Sequence, residues 1–426
     1  MRPQTGRSGT SHGVDGSLPD LFTAVTDIEA SLRTTQEAGL LRSLRQVETA
    51  TGPRIRIEGR DVLLLCSNDY LGLASDPRVR RAAAEAAETW GAGAGASRLV
   101  SGNLLPHVEL EARLAEFKGT EAAVLFGSGF LANLGVVAAL APKGEVVFSD
   151  ELNHASLVDG CRLAGAETVI YPHNDVKALA DGLERAGDQP KTIVTDSVFS
   201  MDGDLAPLEE IVALAKLHGA RLIVDEAHAT GTIGPGGRGL VNELGLEAEV
   251  DVMIGTLSKA LGSYGAYACC SATMAQYLIN RARPLIFSTA LPPSSVSAAA
   301  ESLRILSDES TVSSGQPGVV ETLRSRARTF RQALAGEGFD VEQNEIPIVP
   351  LLVGDPEEAT ALCETALEKG VFAQAIRPPT VPEGTSRLRL TVMATHSDED
   401  LRSAARILAE TCRESGTVLP AVKSKT

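Results

Sequence analysis

From Ala82 to about Ser307 the chain alternates short apolar runs with stretches whose apolar residues recur every three or four positions. The runs are Ala122–Phe126, Glu145–Phe148, Thr168–Tyr171, Thr192–Thr195, Leu222–Val224, Val252–Ile254 and Ala266–Cys269. Continuous rather than alternating apolarity marks strands covered on both faces, and strands separated by helical patterns imply crossover connections. The expectation is therefore an α/β architecture, a mainly parallel seven-stranded sheet between helices, over residues 76–307. The polar stretch Asp308–Gln316 reads as a boundary. Beyond it, a helix near Val319–Gly336, strands near Ile346–Val353 and Leu388–Val392, and helices near Pro356–Glu368 and Asp398–Glu414 suggest a small α+β domain over 308–426. Residues 1–20 are rich in Gly, Ser, Thr and Pro and cannot repay their ordering entropy, so they read as a disordered tail. Leu21, Phe22, Val25, Ile28 and Leu32 repeat at helical spacing, and Arg54–Leu65 alternates like a hairpin, which makes 21–75 an N-terminal arm.

Composition narrows the function classes. The 426 residues are 43% hydrophobic and 22% charged, with a formal net charge of -16 and scattered basic residues. Neither a phosphate backbone nor an anionic membrane surface suits such a chain, so neither nucleic acid nor a membrane is expected as a partner. The six cysteines show no CxxC or Cys/His spacing, which points to reduced, mostly buried thiols and to no metal site. No run reaches the roughly 18 apolar residues of a membrane span and the N-terminus lacks a signal-peptide apolar region, so a cytoplasmic protein is expected.

The candidate chemistry lies at the ends of the strand-like runs. Leu222–Val224 delivers Asp225 and His228, and Val252–Gly255 delivers Thr256, Ser258 and Lys259. A carboxylate, an imidazole and an amine converging there suit pyridoxal 5'-phosphate: the amine forms a Schiff base with the aldehyde, and the carboxylate keeps the pyridine nitrogen protonated. Leu125-Phe-Gly-Ser-Gly-Phe-Leu-Ala-Asn133 sets a glycine-rich turn between strand and helix, where backbone N–H groups bind phosphate, although a tight turn alone would look the same. His154 follows another strand end and could lie flat against a cofactor ring. The hydroxyl of Ser200, in Ser197-Val-Phe-Ser-Met-Asp-Gly-Asp204, could reach a ring oxygen. In doubly wound sheets the carboxyl ends of the strands are where ligands bind, and one shared cofactor accounts for all four segments.

Cys66-Ser-Asn-Asp-Tyr-Leu-Gly-Leu73, Gly95-Ala-Ser-Arg-Leu-Val-Ser-Gly102, Asn153-His-Ala-Ser156, Val198-Phe-Ser-Met-Asp-Gly-Asp204, Val224-Asp-Glu-Ala-His228, Thr256-Leu-Ser-Lys259 and Phe287-Ser-Thr-Ala-Leu-Pro-Pro293 together resemble the α-oxoamine synthase family of pyridoxal-phosphate enzymes, fold type I. The resemblance implies that Lys259 carries the Schiff base and serves as general base, that Asp225 pairs with the pyridinium nitrogen, and that His154 stacks on the ring. It implies further that Ser200 and His228 address the phenolic oxygen and that Ser128, Gly129, Phe130 and Thr256 hold the phosphate. Ser288 and Thr289 of a second subunit would reach the same phosphate, which makes a homodimer the expected assembly. Asn68 and Arg389 resemble groups near the amino-acid carboxylate, and Arg42 and Thr380 resemble acyl-substrate contacts. Arg377, in Ala375-Ile-Arg-Pro-Pro-Thr-Val-Pro382, would meet the distal carboxylate of a pimeloyl chain through the bidentate geometry arginine favours. The implied reaction is a decarboxylative condensation of L-alanine with a pimeloyl thioester, carried on coenzyme A or on an acyl carrier protein. Three alternatives stay open: glycine with a shorter thioester, an aminotransferase or decarboxylase on the same fold, and a non-catalytic subunit. Ala229 departs from the glycine that several members carry after the histidine.

Overall fold

The computed structural model describes residues 27–308 and 317–417, so the tail at 1–20, Leu21, Phe22 and Val25, and most of the polar break fall outside the described residues. Its contacts divide the chain into two compact units, 1–44 and 45–426. In the first, Asp27 caps the helix Ile28–Glu37 by accepting from the Ala30 N–H at 3.0 Å, and the helix ends ahead of Gly39, whose φ is 66°. Ile28 and Leu32, the described part of the expected apolar spacing, lie on that helix and are exposed.

In the second unit the strands are β1 Arg54–Ile57, β2 Arg60–Leu64, β3 Ala122–Phe126, β4 Val146–Asp150, β5 Glu167–Tyr171, β6 Lys191–Asp196, β7 Arg221–Asp225, β8 Val252–Thr256, β9 Ala266–Cys270, β10 Ile348–Gly354, β11 Val371–Phe372, β12 Gln374–Ile376 and β13 Ser386–Thr391. The β1–β2 hairpin turns on Glu58 and Gly59, with φ of 51° and 74°, the paired positive angles that match the twist of the flanking strands. Unlike the hairpin, its third strand β11, parallel to β2, had no counterpart in the sequence pattern.

The central sheet runs β3-β9-β8-β7-β6-β4-β5. Only β9 is antiparallel to its neighbours, so the carboxyl ends of β3, β4, β6, β7 and β8 share one rim. Every residue of β4, β6, β8 and β9 is buried, as expected for strands with helices on both faces. Two of those helices, Gly129–Leu140 and Ala155–Ala164, cross at Gly160, where a Cβ would lie 3.0 Å from Val137 Cβ and 3.1 Å from the Asn133 carbonyl. That approach fixes both helix starts at the rim. A second sheet, β10-β13-β12, is antiparallel and packs a separate core of Phe330, Leu334, Leu351, Leu362, Leu390, Leu401 and Leu408 against helices 319–336, 356–368 and 398–415.

One buried ion pair braces the rim from behind. Lys118, the last residue of helix Leu105–Lys118, places Nζ 2.6 Å from Glu226 Oε2, and both side chains are wholly inaccessible. Lys118 also donates to the Arg238 carbonyl, and Glu226 Oε1 accepts from the Val241 N–H at 2.9 Å. The segment 226–241, which carries His228, is thereby closed into a loop around a charge. Lys118→Ala strands a dry carboxylate and is expected to cost about 3–5 kcal/mol of unfolding free energy, read from denaturant titration. A loss under about 1 kcal/mol would mean that water or a proton replaces the ammonium.

Candidate active site

Parallel register sets carboxylates side by side: Asp196 ends β6, Asp225 ends β7, and the two are direct strand partners. Asp225 is 5% exposed; its Oδ1 accepts from the Ala227 N–H at 2.8 Å and its Oδ2 from Asn133 Nδ2 at 2.6 Å. Asn133 also donates to Ser156 Oγ at 2.8 Å, and that hydroxyl lies 2.7 Å from His154 Nδ1. The His154 backbone N–H donates to Asp196 Oδ2 at 2.6 Å, so the loop after β4 is tied to β6 and to the helix after β3.

A second chain of contacts begins at Lys259. Its Nζ is 2.7 Å from His228 Nε2, and His228 Nδ1 is 2.7 Å from Tyr70 Oη. Arg389, on β13 of the other sheet, donates to Tyr70 Oη at 3.2 Å, to Asn68 Oδ1 at 3.1 Å and to the Ser200 carbonyl. Its neighbour Arg387 pairs with Asp202 at 2.6 Å. Residues from the N-terminal arm, both sheets and the β6 loop therefore meet on one lysine–histidine–tyrosine–arginine line.

Burial pushes the Lys259 amine down to about 8, against an opposing pull from Asp225 and Asp196. Burial, then the positive charges of Lys259 and Arg389, hold His228 well below the usual imidazole range, so its ring is neutral. Burial and the adjacent Asp225 drive Asp196 well above the carboxylate range. Burial lowers His154 as well, with Asp225 opposing.

Beside these groups, Ser128 caps helix 129–140 by accepting from the Leu131 N–H at 3.2 Å, which leaves the Gly129 and Phe130 amides at the positive end of the helix. An added Cβ on Gly129 would lie 3.8 Å from Thr256 Cβ, so the bare glycine and the Thr256 hydroxyl face one space. Ser288 and Thr289 line a small cavity with Gly127, Arg98 and His107 of the same chain. Ser200 enters through its carbonyl, Phe130 is 43% exposed, and Arg377 is half-buried next to exposed Thr380. Arg42, in the first unit, is exposed.

Four groups of this site were not singled out from the sequence: Tyr70, Asn133, Ser156 and Asp196. Asn133 carried a usable signal, because it is the one amide side chain in the otherwise apolar helix Gly-Phe-Leu-Ala-Asn-Leu-Gly-Val-Val-Ala-Ala-Leu and must find a buried partner.

Residues 60–408 match the family model for aminotransferase class I and II. The chain belongs to that family. It is 51% identical over 392 residues to the 8-amino-7-oxononanoate synthase of Geobacter sulfurreducens, covering 92% of this chain and 99% of that protein. The 8-amino-7-oxononanoate synthase of Anaeromyxobacter dehalogenans is 51% identical over 369 residues, 87% of this chain and 91% of that one. Among solved structures, the Sphingomonas wittichii serine palmitoyltransferase superposes with a TM-score of 0.86 at 35% identity, covering 93% of this chain and 100% of that one. The Francisella tularensis 8-amino-7-oxononanoate synthase gives 0.70 at 26% identity, over 83% and 99%. The fold is that of fold type I pyridoxal-phosphate transferases, and the cofactor is pyridoxal 5'-phosphate, as the motifs implied. The donor set suits that group: a buried amine of lowered basicity, a dry carboxylate already hydrogen-bonded on both oxygens, and an anion cradle where a helix start meets Thr256.

With a midpoint near 8 in place of the ordinary 10.5, half of the Lys259 amine is neutral at pH 8. Uptake of pyridoxal phosphate by the cofactor-free protein, followed by visible absorbance, should therefore rise with pH through a midpoint near 8. Asp225→Asn removes a charge that favours the ammonium form and should shift that midpoint lower; an upward shift would contradict the assigned cause.

Proposed function

We propose that this chain is an 8-amino-7-oxononanoate synthase, which condenses L-alanine with a pimeloyl thioester in biotin biosynthesis. The observation that carries the reading is identity of about half of all positions, over about nine-tenths of the chain, with relatives of that name, on a site built around a buried lysine and aspartate. In the net reaction a bond forms between the alanine Cα and the acyl carbon, the thiol leaves, and the α-carboxylate departs as CO2.

The bound cofactor supplies an electron sink for the charge developed at Cα. Asp225 would pair with the ring nitrogen, with Asn133 and the Ala227 amide holding its oxygens. Lys259 would hold the cofactor at rest, and its lowered basicity suits it to take the Cα proton. His154 would support the ring face, His228 and Ser200 its phenolic side, and Ser128, Gly129, Phe130 and Thr256 the phosphate. Arg389 and Asn68, already hydrogen-bonded to each other at 3.1 Å, receive the alanine carboxylate. Arg377 and Thr380 serve the acyl chain, with Arg377 on its distal carboxylate.

The same reading makes the protein a cytoplasmic homodimer. Six free cysteines and the absence, among the described residues, of any helix long and apolar enough to cross a membrane support the first part. For the second, Ser97 bridges Thr289 and the Ala290 N–H donates to the Ala96 carbonyl, so exposed Leu99, Val100 and Phe287 gather beside Ser288 and Thr289. Such an exposed apolar group suits a subunit contact that carries Ser288 and Thr289 toward a second site.

The fold's likeness to serine palmitoyltransferases favours one second reading, serine with a long acyl thioester. Purified protein offered alanine, glycine or serine with pimeloyl, acetyl, succinyl or palmitoyl thioesters, each on coenzyme A and the first also on acyl carrier protein, separates the readings. Alanine with the pimeloyl thioester should give the highest kcat/KM; preference for any other pair overturns the proposal. Lys259→Ala should abolish turnover. Arg377→Ala should raise the pimeloyl thioester KM about 10- to 100-fold, the worth of one charge-assisted contact, without affecting alanine.

A further inference from the structure

His173 lies behind the site, in the turn between β5 and helix Val176–Arg185, and takes no part in the chemistry above. Its Nδ1 is 2.9 Å from Asp150 Oδ1 and its Nε2 is 2.8 Å from Asp204 Oδ2. The ring is 7% exposed and stands edge-on to Phe199 at 4.3 Å. A neutral imidazole has one N–H and could satisfy one of two carboxylates; the second contact would set lone pair against lone pair. Both contacts are attractive only when both nitrogens carry protons. Burial opposes that charge, but the hydrogen bonds of Asp150 and Asp204 outweigh it and raise the group to about 9.

The two carboxylates belong to the loops that present the cofactor-facing residues. Asp150 ends β4; its Oδ1 accepts from the Leu152 N–H at 2.9 Å and its carbonyl from the Asn153 N–H, and His154 comes next. Asp204 closes the loop after β6: its carbonyl accepts from the Phe199 N–H at 3.0 Å, so Ser200 and Asp202, which receive Arg389 and Arg387, sit inside that closure. Asn174, with φ of 57°, adds its N–H to Asp150 Oδ2 at 2.8 Å and its side chain to the Leu205 carbonyl at 3.1 Å. We propose that His173 is a positioning residue that, by bridging Asp150 and Asp204, holds the His154 loop and the Ser200 loop at one spacing and so fixes where Arg389 meets the amino acid.

This inference rests on the alanine-binding reading above. The test uses holoenzyme with His173→Gln, Asp204→Ala and the double variant, titrating L-alanine against the visible absorbance of the bound cofactor and measuring KM for both substrates, alongside thermal unfolding. Each single variant should weaken alanine binding about 10-fold while the thioester KM stays constant, and the double variant should be no worse than the weaker single, because both remove one link. Unchanged alanine affinity in folded His173→Gln, or losses that add in the double variant, would overturn the clamp. If His173→Gln does not fold, Asp204→Ala alone decides: it leaves the Asp150 contact in place and must still weaken alanine selectively. Wild-type protein with no alanine-dependent spectral change would overturn both the clamp and the reading beneath it; a normal wild-type response with unaltered variants overturns the clamp alone.

Discussion

Two carboxylates, Asp196 and Asp225, end adjacent strands as register partners in a rim from which water is largely shut out. Like charges at that separation cannot both persist in a dry site without compensation. The compensation is divided: Asp196 is driven toward protonation, Asp225 is held by an amide and a backbone N–H, and the amine of Lys259 stands within electrostatic reach of both. Burial lowers the lysine's basicity against the pull of the two acids, the histidine next to it stays neutral, and Asn133 and the His154 N–H each bind one of the acids.

Much of this was legible from the chain. All seven strands of the large sheet stood out, six because buried strands are written as apolar runs and the mostly exposed edge strand β5 through its short Val-Ile-Tyr run, and Asp225, Lys259 and His154 stood out because polar residues placed just after such runs sit at a rim. The antiparallel course of β9 was not legible, since apolarity carries no direction. Nor were β11 and β12, of two and three residues, which are too short for any periodicity to register.

In the site, illegibility tracks sequence separation. Tyr70 and His228 meet across 158 positions, and Arg389 and Tyr70 across 319. No local pattern records such pairings; only the closed fold does. Asn133 was readable in principle, a lone amide on an apolar helix, but its partner Asp225 lies 92 positions on. His173 shows the same limit from the other side: its neighbours in sequence describe a turn, and its two carboxylates arrive from the end of β4 and from the loop after β6.

Strand β13 alternates arginines with leucines, so Leu388 and Leu390 enter the small sheet's own core while Arg387 and Arg389 reach out to the β6 loop of the large sheet. Arg389 thus ties the small sheet to the β6 loop and to Asn68, across two apolar cores. Because one strand serves both cores, a shift of β13 within the small sheet also moves Arg389 against Tyr70 and the histidine–lysine pair behind it.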